Sequence, residues 1–173
     1  MVTAALAADQ RCVVVALCGR NDRARRRLEG LARTAPRLRV LGWVEDTAGL
    51  TAAVDVVVNN AGGVTAQEAL ARGRALVMFR PLAGHGRDSA LALARAGVAE
   101  RCRNHRELTH LLRAYARDPA RLDAAQRRAA RYAGRHGLDD LAATLPRRPT
   151  HGPDRRVAGR PTGHPDVTGE VAR

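Results

Sequence analysis

Residues 55–69 read DVVVNNAGGVTAQEA, and this stretch decides the fold class. Its β-branched run is apolar on both faces, which predicts a buried strand over residues 54–58. Two glycines follow, and the pattern after them predicts a helix over about residues 65–72. A strand, a glycine turn and a helix in this order form the repeating unit of a parallel α/β sheet.

The same alternation continues on both sides of this stretch. Further strands are predicted at residues 13–17, 38–41 and 75–79, with a weaker one at 98–102. Helices are predicted between them at about residues 22–35, 47–53 and 88–96, with Asn21, Asp46 and Asp88 at or near their starts. The predicted fold is therefore a Rossmann-like parallel sheet with helices on both faces.

The C-terminal third has a different pattern. Asn104 and Glu107 have capping-box spacing before a helix to about residue 117. Asp118-Pro119 then predicts a helix to about residue 132, ended by Gly134 or Gly137. From residue 145 onward Pro, Gly, Arg and His dominate, so we predict one domain over residues 1–144 and a disordered tail over 145–173.

Composition excludes several function classes. The 173 residues carry a net charge of +13, but all 30 basic residues are Arg, spread from Arg11 to Arg173, and only 2% of residues are aromatic. A base-stacking surface cannot be built from so few rings, so no nucleic-acid partner is expected. There is neither an apolar run of 18 residues nor a basic signal-peptide start. Three cysteines without CxxC spacing indicate reduced thiols in the cytoplasm, with Cys12 and Cys18 bracketing a buried strand.

Ligands of an open parallel sheet bind at the carboxyl ends of its strands. The segments there are residues 19–21, 42–46, 60–65 and 80–88. Gly62 and Gly63 allow close backbone approach, the following helix offers free amides, and Thr65 adds a hydroxyl, which together favour a phosphate. Glu68 lies one turn further and could accept ribose hydroxyls. Alternatively, Thr65 to Glu68 form a capping box in which Glu68 bonds its own helix.

The segment Asn59-Asn60-Ala61-Gly62 also resembles one found in short-chain dehydrogenases. Those enzymes need a Tyr followed four residues later by Lys. Tyr115 is followed at that distance by Pro119 and Tyr132 by His136, and the chain has no Lys. The dehydrogenase interpretation is therefore set aside.

Taken in order, residues 18–21 (CGRN), 40–46 (VLGWVED), 55–69 and 73–81 (GRALVMFRP) resemble the C-terminal half of glycosyltransferase family 28 enzymes. The resemblance covers roughly Cys12 to Tyr115. It implies the nucleotide-sugar-binding half of a GT-B glycosyltransferase that moves a hexosyl or N-acetylhexosaminyl group to a lipid or other acceptor. The donor substrate would be a UDP-sugar, with no metal or other cofactor. A non-catalytic nucleotide-sensing or interaction domain on the same sheet is the alternative.

The resemblance also implies a donor-binding set. Gly62, Gly63 and Thr65 would lie against the diphosphate and Glu68 would hold the ribose, while the turn with Trp43 and Val44 would sit beside a uracil base. The loop with His85, Gly86 and Arg87 would face the sugar, and Gly19 and Asn21 complete the set. Arg20 and Arg87 are candidates to stabilise charge on the departing diphosphate.

One departure from the family pattern concerns the start of the chain. Relatives begin this half with a strand and a glycine-rich loop, whereas Met1 to Gln10 matches only the end of the helix that follows. The absent strand would lie between the strands at Val13 and Val54, so two unpaired edges are expected. The catalytic base is expected in a separate N-terminal acceptor domain. We therefore expect the 173-residue chain to be inactive alone, and robust sugar transfer by it would contradict this. A lipid acceptor would place the enzyme on the cytoplasmic membrane face.

Overall fold

The computed structural model describes residues 1–60, 63–81 and 85–135. Gly62, Gly137 and the predicted tail over residues 145–173 lie outside the described residues, as does the predicted domain end at residue 144.

Strands and helices alternate along the described part of the chain. The strands are β1 (Val14–Leu17), β2 (Leu38–Leu41), β3 (Val56–Asn59), β4 (Ala75–Phe79) and β5 (Ala99–Cys102). The helices are α1 (Val2–Leu6), α2 (Asp22–Ala32), α3 (Thr47–Ala52), α4 (Val64–Ala71), α5 (His85–Arg95), α6 (His105–Arg117) and α7 (Pro119–Arg135).

The strands pair in parallel, in two groups. β1 pairs with β2, with Leu17 opposite Leu41, while β4 lies between β3 and β5. In the part of the chain that the structure describes, no strand pairs β1 with β3. Parallel strands with flanking helices confirm the Rossmann-like expectation.

Side-chain caps explain where four of the helices begin. Asn21 accepts a hydrogen bond from the Ala24 amide at 2.9 Å, and Asp46 accepts one from the Gly49 amide at 2.7 Å. Asn104 caps α6 in the same way through the Glu107 amide, and Asp118 accepts from the Arg121 amide at the start of α7. These contacts satisfy amides that the first helical turn leaves without a partner, as the sequence predicts.

The core lies on both faces of the β3–β4–β5 sheet. Successive residues of β4 alternate between the two faces, which explains why the whole strand is buried. Leu76 and Met78 pack with α4 and α5 on one side, while Val77 and Phe79 pack with α1 and α6 on the other. Helix α7 contributes to both clusters.

Three sequence predictions are wrong in detail. β1 is not a buried strand between Cys12 and Cys18, because Val13 is 65% and Leu17 54% exposed where the strand has a neighbour on one edge only. Helix α5 begins at His85 rather than Asp88, since a glycine in the first helical turn breaks few internal hydrogen bonds. Helix α7 continues through Gly134. All three cysteines are free, and Cys102 is buried.

Candidate functional site

The predicted site residues follow the carboxyl ends of the strands. Gly19 comes after β1, Gly42 after β2, Gly63 after β3 and Gly86 after β4. Because all strand pairs are parallel, the strand ends within each group lie at the same edge. This edge is where the sheet topology favours a ligand.

The ends of β1 and β2 form a cleft of about 470 Å³. It is lined by Gly19, Arg20, Asp22, Arg25, Gly42 and Trp43. Gly19 has a φ of +53°, a conformation that favours glycine. A Cβ on Gly42 would lie 3.7 Å from the Gly19 carbonyl oxygen, so the two turns are in close contact. The structure thus brings together Gly19 and Trp43 of the predicted set, with half-buried Val44 beside Trp43.

One contact in this cleft was not predicted. The guanidinium carbon of Arg20 lies 4.5 Å from the centroid of the Trp43 ring, a cation–π geometry. The strand register carries the signal that could have found it. Leu17 pairs with Leu41. Arg20 lies three residues beyond Leu17 and Trp43 two residues beyond Leu41, so the register places the two side chains near each other.

The remaining predicted residue of this region has a structural role. The Asn21 side chain is occupied as the cap of α2. Arg25, which sequence reasoning did not single out, forms ion pairs with Asp22 at 3.4 Å and Glu29 at 3.6 Å. The i,i+3 and i,i+4 spacing of these residues on a predicted helix could have predicted both ion pairs from the sequence.

The N-terminus of α4 has no side-chain cap. Its N-cap residue is Gly63, with a φ of +53° and a ψ of −119°, and no side chain of the described residues bonds the amides of the first turn. Thr65 is exposed in that turn. Unpaired amides and the positive end of the helix dipole form an anion-binding arrangement.

Glu68 does not form the alternative capping box. The helix begins at Val64, so Thr65 lies inside it rather than at the cap position. Glu68 is half-buried, and among the described residues its carboxylate makes no hydrogen bond or ion pair. Nothing in the described part of the chain therefore competes with a ligand for this carboxylate.

The end of β4 carries a strained residue. Arg80 has a φ of +45°, in the left-handed region that non-glycine residues rarely adopt, and its amide donates to the Cys102 carbonyl at 3.1 Å. Such strain is frequent near functional sites. The predicted loop with His85, Gly86 and Arg87 is instead the first turn of α5, where Arg87 is exposed. These residues and those of α4 do not line the cleft beside Trp43.

A second cleft, of about 660 Å³, lies where the chain enters β1 and β2. Its arginines are occupied by the protein itself. Arg37 donates to the carbonyl oxygens of Leu6, Asp9 and Cys12 at 2.7–3.1 Å. Hydrogen bonds from Arg11 hold the pKa of the Asp9 carboxyl well below its usual range. We interpret this cluster as structural.

Metal-binding clusters and membrane-spanning helices are both absent from the described ranges. Residues 1–60, 63–81 and 85–135 hold no group of three or more His, Cys, Asp and Glu side chains arranged to bind a metal ion. None of the helices described is both long enough and apolar enough to cross a bilayer.

Sequence comparison identifies similar proteins among glycolipid-forming enzymes. The chain is 27% identical over 121 residues to a processive diacylglycerol beta-glucosyltransferase of Bacillus pumilus, covering 69% of this chain and 32% of that protein. It is 31% identical over 104 residues to the enzyme of the same name from Bacillus subtilis, covering 60% of this chain and 27% of that one. The chain thus spans about a third of the length of these relatives. No protein-family model matches it.

Structure comparison finds the same fold in glycosyltransferases. Anabaena HepE in complex with UDP matches with a TM-score of 0.64 and 17% identity, over 83% of this chain and 44% of that one. WaaG, a glycosyltransferase involved in lipopolysaccharide biosynthesis, matches with a TM-score of 0.66 and 18% identity, over 82% and 40%. The expected resemblance is confirmed at this level: the chain is similar in sequence to diacylglycerol glucosyltransferases and has the Rossmann-like fold of GT-B glycosyltransferases.

Proposed function

We propose that this chain is the donor-binding part of a UDP-sugar-dependent glycosyltransferase that transfers a hexosyl group to a lipid acceptor. The relatives named above are diacylglycerol glucosyltransferases, and HepE has been captured with both UDP and UDP-glucose. Two observations at α4 carry the proposal: no described side chain caps its N-terminus, and one turn later the Glu68 carboxylate makes no hydrogen bond or ion pair within the described residues.

The diphosphate of the donor would bind at the start of α4. Gly62 and Gly63 would bring the backbone close to it, and the free amides and the Thr65 hydroxyl would donate hydrogen bonds to its oxygens. Support comes from the positive φ of Gly63, the exposure of Thr65 and the absence of a competing side-chain cap among residues 1–60, 63–81 and 85–135.

The other parts of the donor would extend from that point along the edge. Glu68 would accept the ribose hydroxyls, and the turn with Trp43 and Val44 would sit beside the uracil base, next to Gly19. In the opposite direction, His85, Gly86 and Arg87 would face the sugar. The support is their shared position after strand ends and the open cleft beside Trp43.

The reaction is a displacement at the anomeric carbon of the donor sugar. An acceptor hydroxyl attacks this carbon, the bond to the diphosphate oxygen breaks, and UDP leaves with the bonding electrons. Negative charge grows on the diphosphate in the transition state, where helix amides and arginines such as Arg87 stabilise it. The base that takes the hydroxyl proton would come from a separate acceptor domain.

A lipid acceptor also sets the place of reaction. Transfer to a membrane lipid requires the active site to reach the bilayer surface, so we propose that the enzyme acts as a peripheral protein on the cytoplasmic face. The net charge of +13 would favour anionic headgroups there.

Replacement of Glu68 tests the nucleotide site. Calorimetric titration of the full chain should show that UDP binds more tightly than 2′-deoxy-UDP. In Glu68→Ala we expect UDP affinity to fall about tenfold, the cost of one hydrogen bond to a charged group. The preference for the ribose hydroxyl should fall with it.

Gln67→Ala provides the matched control, because Gln67 is an exposed neighbour on the same helix. This variant should bind UDP as the original chain does. Equal loss in both variants, or unchanged binding in Glu68→Ala, contradicts the assignment of Glu68 to the ribose. No UDP binding by the original chain contradicts the proposed function itself.

A further inference from the structure

Arg20 is held in place by one contact. Its guanidinium lies over the Trp43 ring at 4.5 Å, and within the described residues it takes part in no hydrogen bond or ion pair. The nearest carboxylate on α2, Asp22, pairs with Arg25 instead. The N–H donors of Arg20 are therefore free for a ligand.

The Trp43 ring restricts where those donors can be. An exposed arginine normally samples many rotamers, and stacking on an aromatic face limits this freedom while leaving the edge donors of the guanidinium accessible. Both residues line the cleft of about 470 Å³, and Trp43 is 63% exposed, so the pair is open to solvent on the ligand side.

We propose that Arg20 determines nucleobase specificity by donating a hydrogen bond to a base carbonyl oxygen, with Trp43 as its positioning residue. This inference rests on the proposed function, which places a nucleotide base beside Trp43. A guanidinium only donates hydrogen bonds. It therefore matches the O4 acceptor of uracil and mismatches the amino group that cytosine carries at the same position.

UDP and CDP form the ligand pair that isolates this contact, since their sugar and diphosphate are the same. Trp43 is the only tryptophan of the chain, so its fluorescence reports directly on the cleft. In the original chain we expect UDP to bind about tenfold more tightly than CDP, the value of one hydrogen bond to a charged donor.

Arg20→Met keeps a long side chain that can pack on the ring but removes the donors. It should bring the UDP-to-CDP ratio close to one, as followed by calorimetry and by Trp43 fluorescence. Arg23→Met is the matched control, because Arg23 is an equally charged, exposed residue of α2 that does not line the cleft. It should leave the ratio unchanged.

Trp43→Ala tests the positioning role. The variant should also lose selectivity, measured by calorimetry, and the double variant should lose no more than either single one, because the two residues act as a unit. A ratio near one in the original chain, or an unchanged ratio in Arg20→Met, overturns the inference. If UDP still binds and Glu68→Ala still weakens it, the proposed function stands in either case.

Discussion

At the scale of single residues, Tyr115 departs most clearly from ordinary packing. Its ring is buried in the cluster on the α1 and α6 side of the sheet, and its hydroxyl has no hydrogen-bond partner in the part of the chain that the structure describes. Burial, assisted by the Glu100 carboxylate, raises the pKa of Tyr115 to about 12. A catalytic tyrosine of the dehydrogenase type needs a lowered pKa, so its environment also argues against that interpretation.

Tyr115→Phe should therefore preserve or slightly raise stability at pH 7, by up to about 1 kcal/mol, because it removes a buried polar group without a partner. Because the pKa of Tyr115 is about 12 in the folded chain and about 10 in the unfolded chain, the unfolded chain loses this proton first. The free energy of unfolding therefore falls as pH rises from 10 towards 12. The variant should lose less stability between pH 9 and pH 11.5 in urea unfolding. Burial also raises the pKa of Cys102, to about 11. Its effect on the alkaline loss of stability is the same in both proteins and cancels in the comparison. If the free energy of unfolding falls equally steeply with pH in the original chain and in Tyr115→Phe, Tyr115 is not buried as a neutral phenol.

At the scale of elements, Arg37 connects the N-terminal helix to the first sheet. It lies directly before β2, yet its guanidinium donates to carbonyl oxygens of residues 6, 9 and 12. Arg113 of α6 donates to the next two carbonyls, those of Ala7 and Ala8. Two arginines thus satisfy the backbone between α1 and β1.

Arg37→Met should destabilise the chain by about 2–3 kcal/mol, since it leaves three carbonyl oxygens without their charged donor. Thermal unfolding measures the loss, and amide exchange should speed up over residues 2–17. Arg33→Met serves as the control, because Arg33 is exposed at the end of α2. If the two substitutions lower the free energy of unfolding equally, the loss of a positive charge explains the effect and the hydrogen bonds of Arg37 do not.

The same scale shows what local sequence can and cannot predict. The bounds of β2 and β4 are those predicted, because each strand begins and ends on an apolar residue that is flanked by Arg or Gly. The start of α5 was missed because Gly86 was interpreted as a loop residue. The Arg20–Trp43 contact was missed because it depends on the register of β1 against β2. The pattern of residues along the sequence does not specify that register. In the candidate site, the glycines and the caps of α2 and α3 were predictable, whereas the start of α5 and the side-chain pairings were not.

At the scale of the whole molecule, the division into two groups of strands has a physical consequence. β1 pairs with β2 alone, and β3 pairs with β4 alone, so each keeps one unpaired edge within the described residues. Val13, directly before β1, and Leu17, its last residue, are also exposed. Unpaired backbone groups beside exposed apolar side chains form a template for further strands.

We therefore expect the purified chain to self-associate as its concentration rises, through the free edge of β1. Leu17→Lys should suppress this association, because a charge on an edge strand opposes pairing with a second copy. Sedimentation velocity over a concentration series gives the measurement. Val64→Lys removes an even more exposed apolar side chain, 74% exposed, but from a helix, so it should leave the association unchanged. A monomer at every concentration, or equal suppression by both variants, would mean that the β1 edge is not the contact; a decrease confined to Leu17→Lys would identify it.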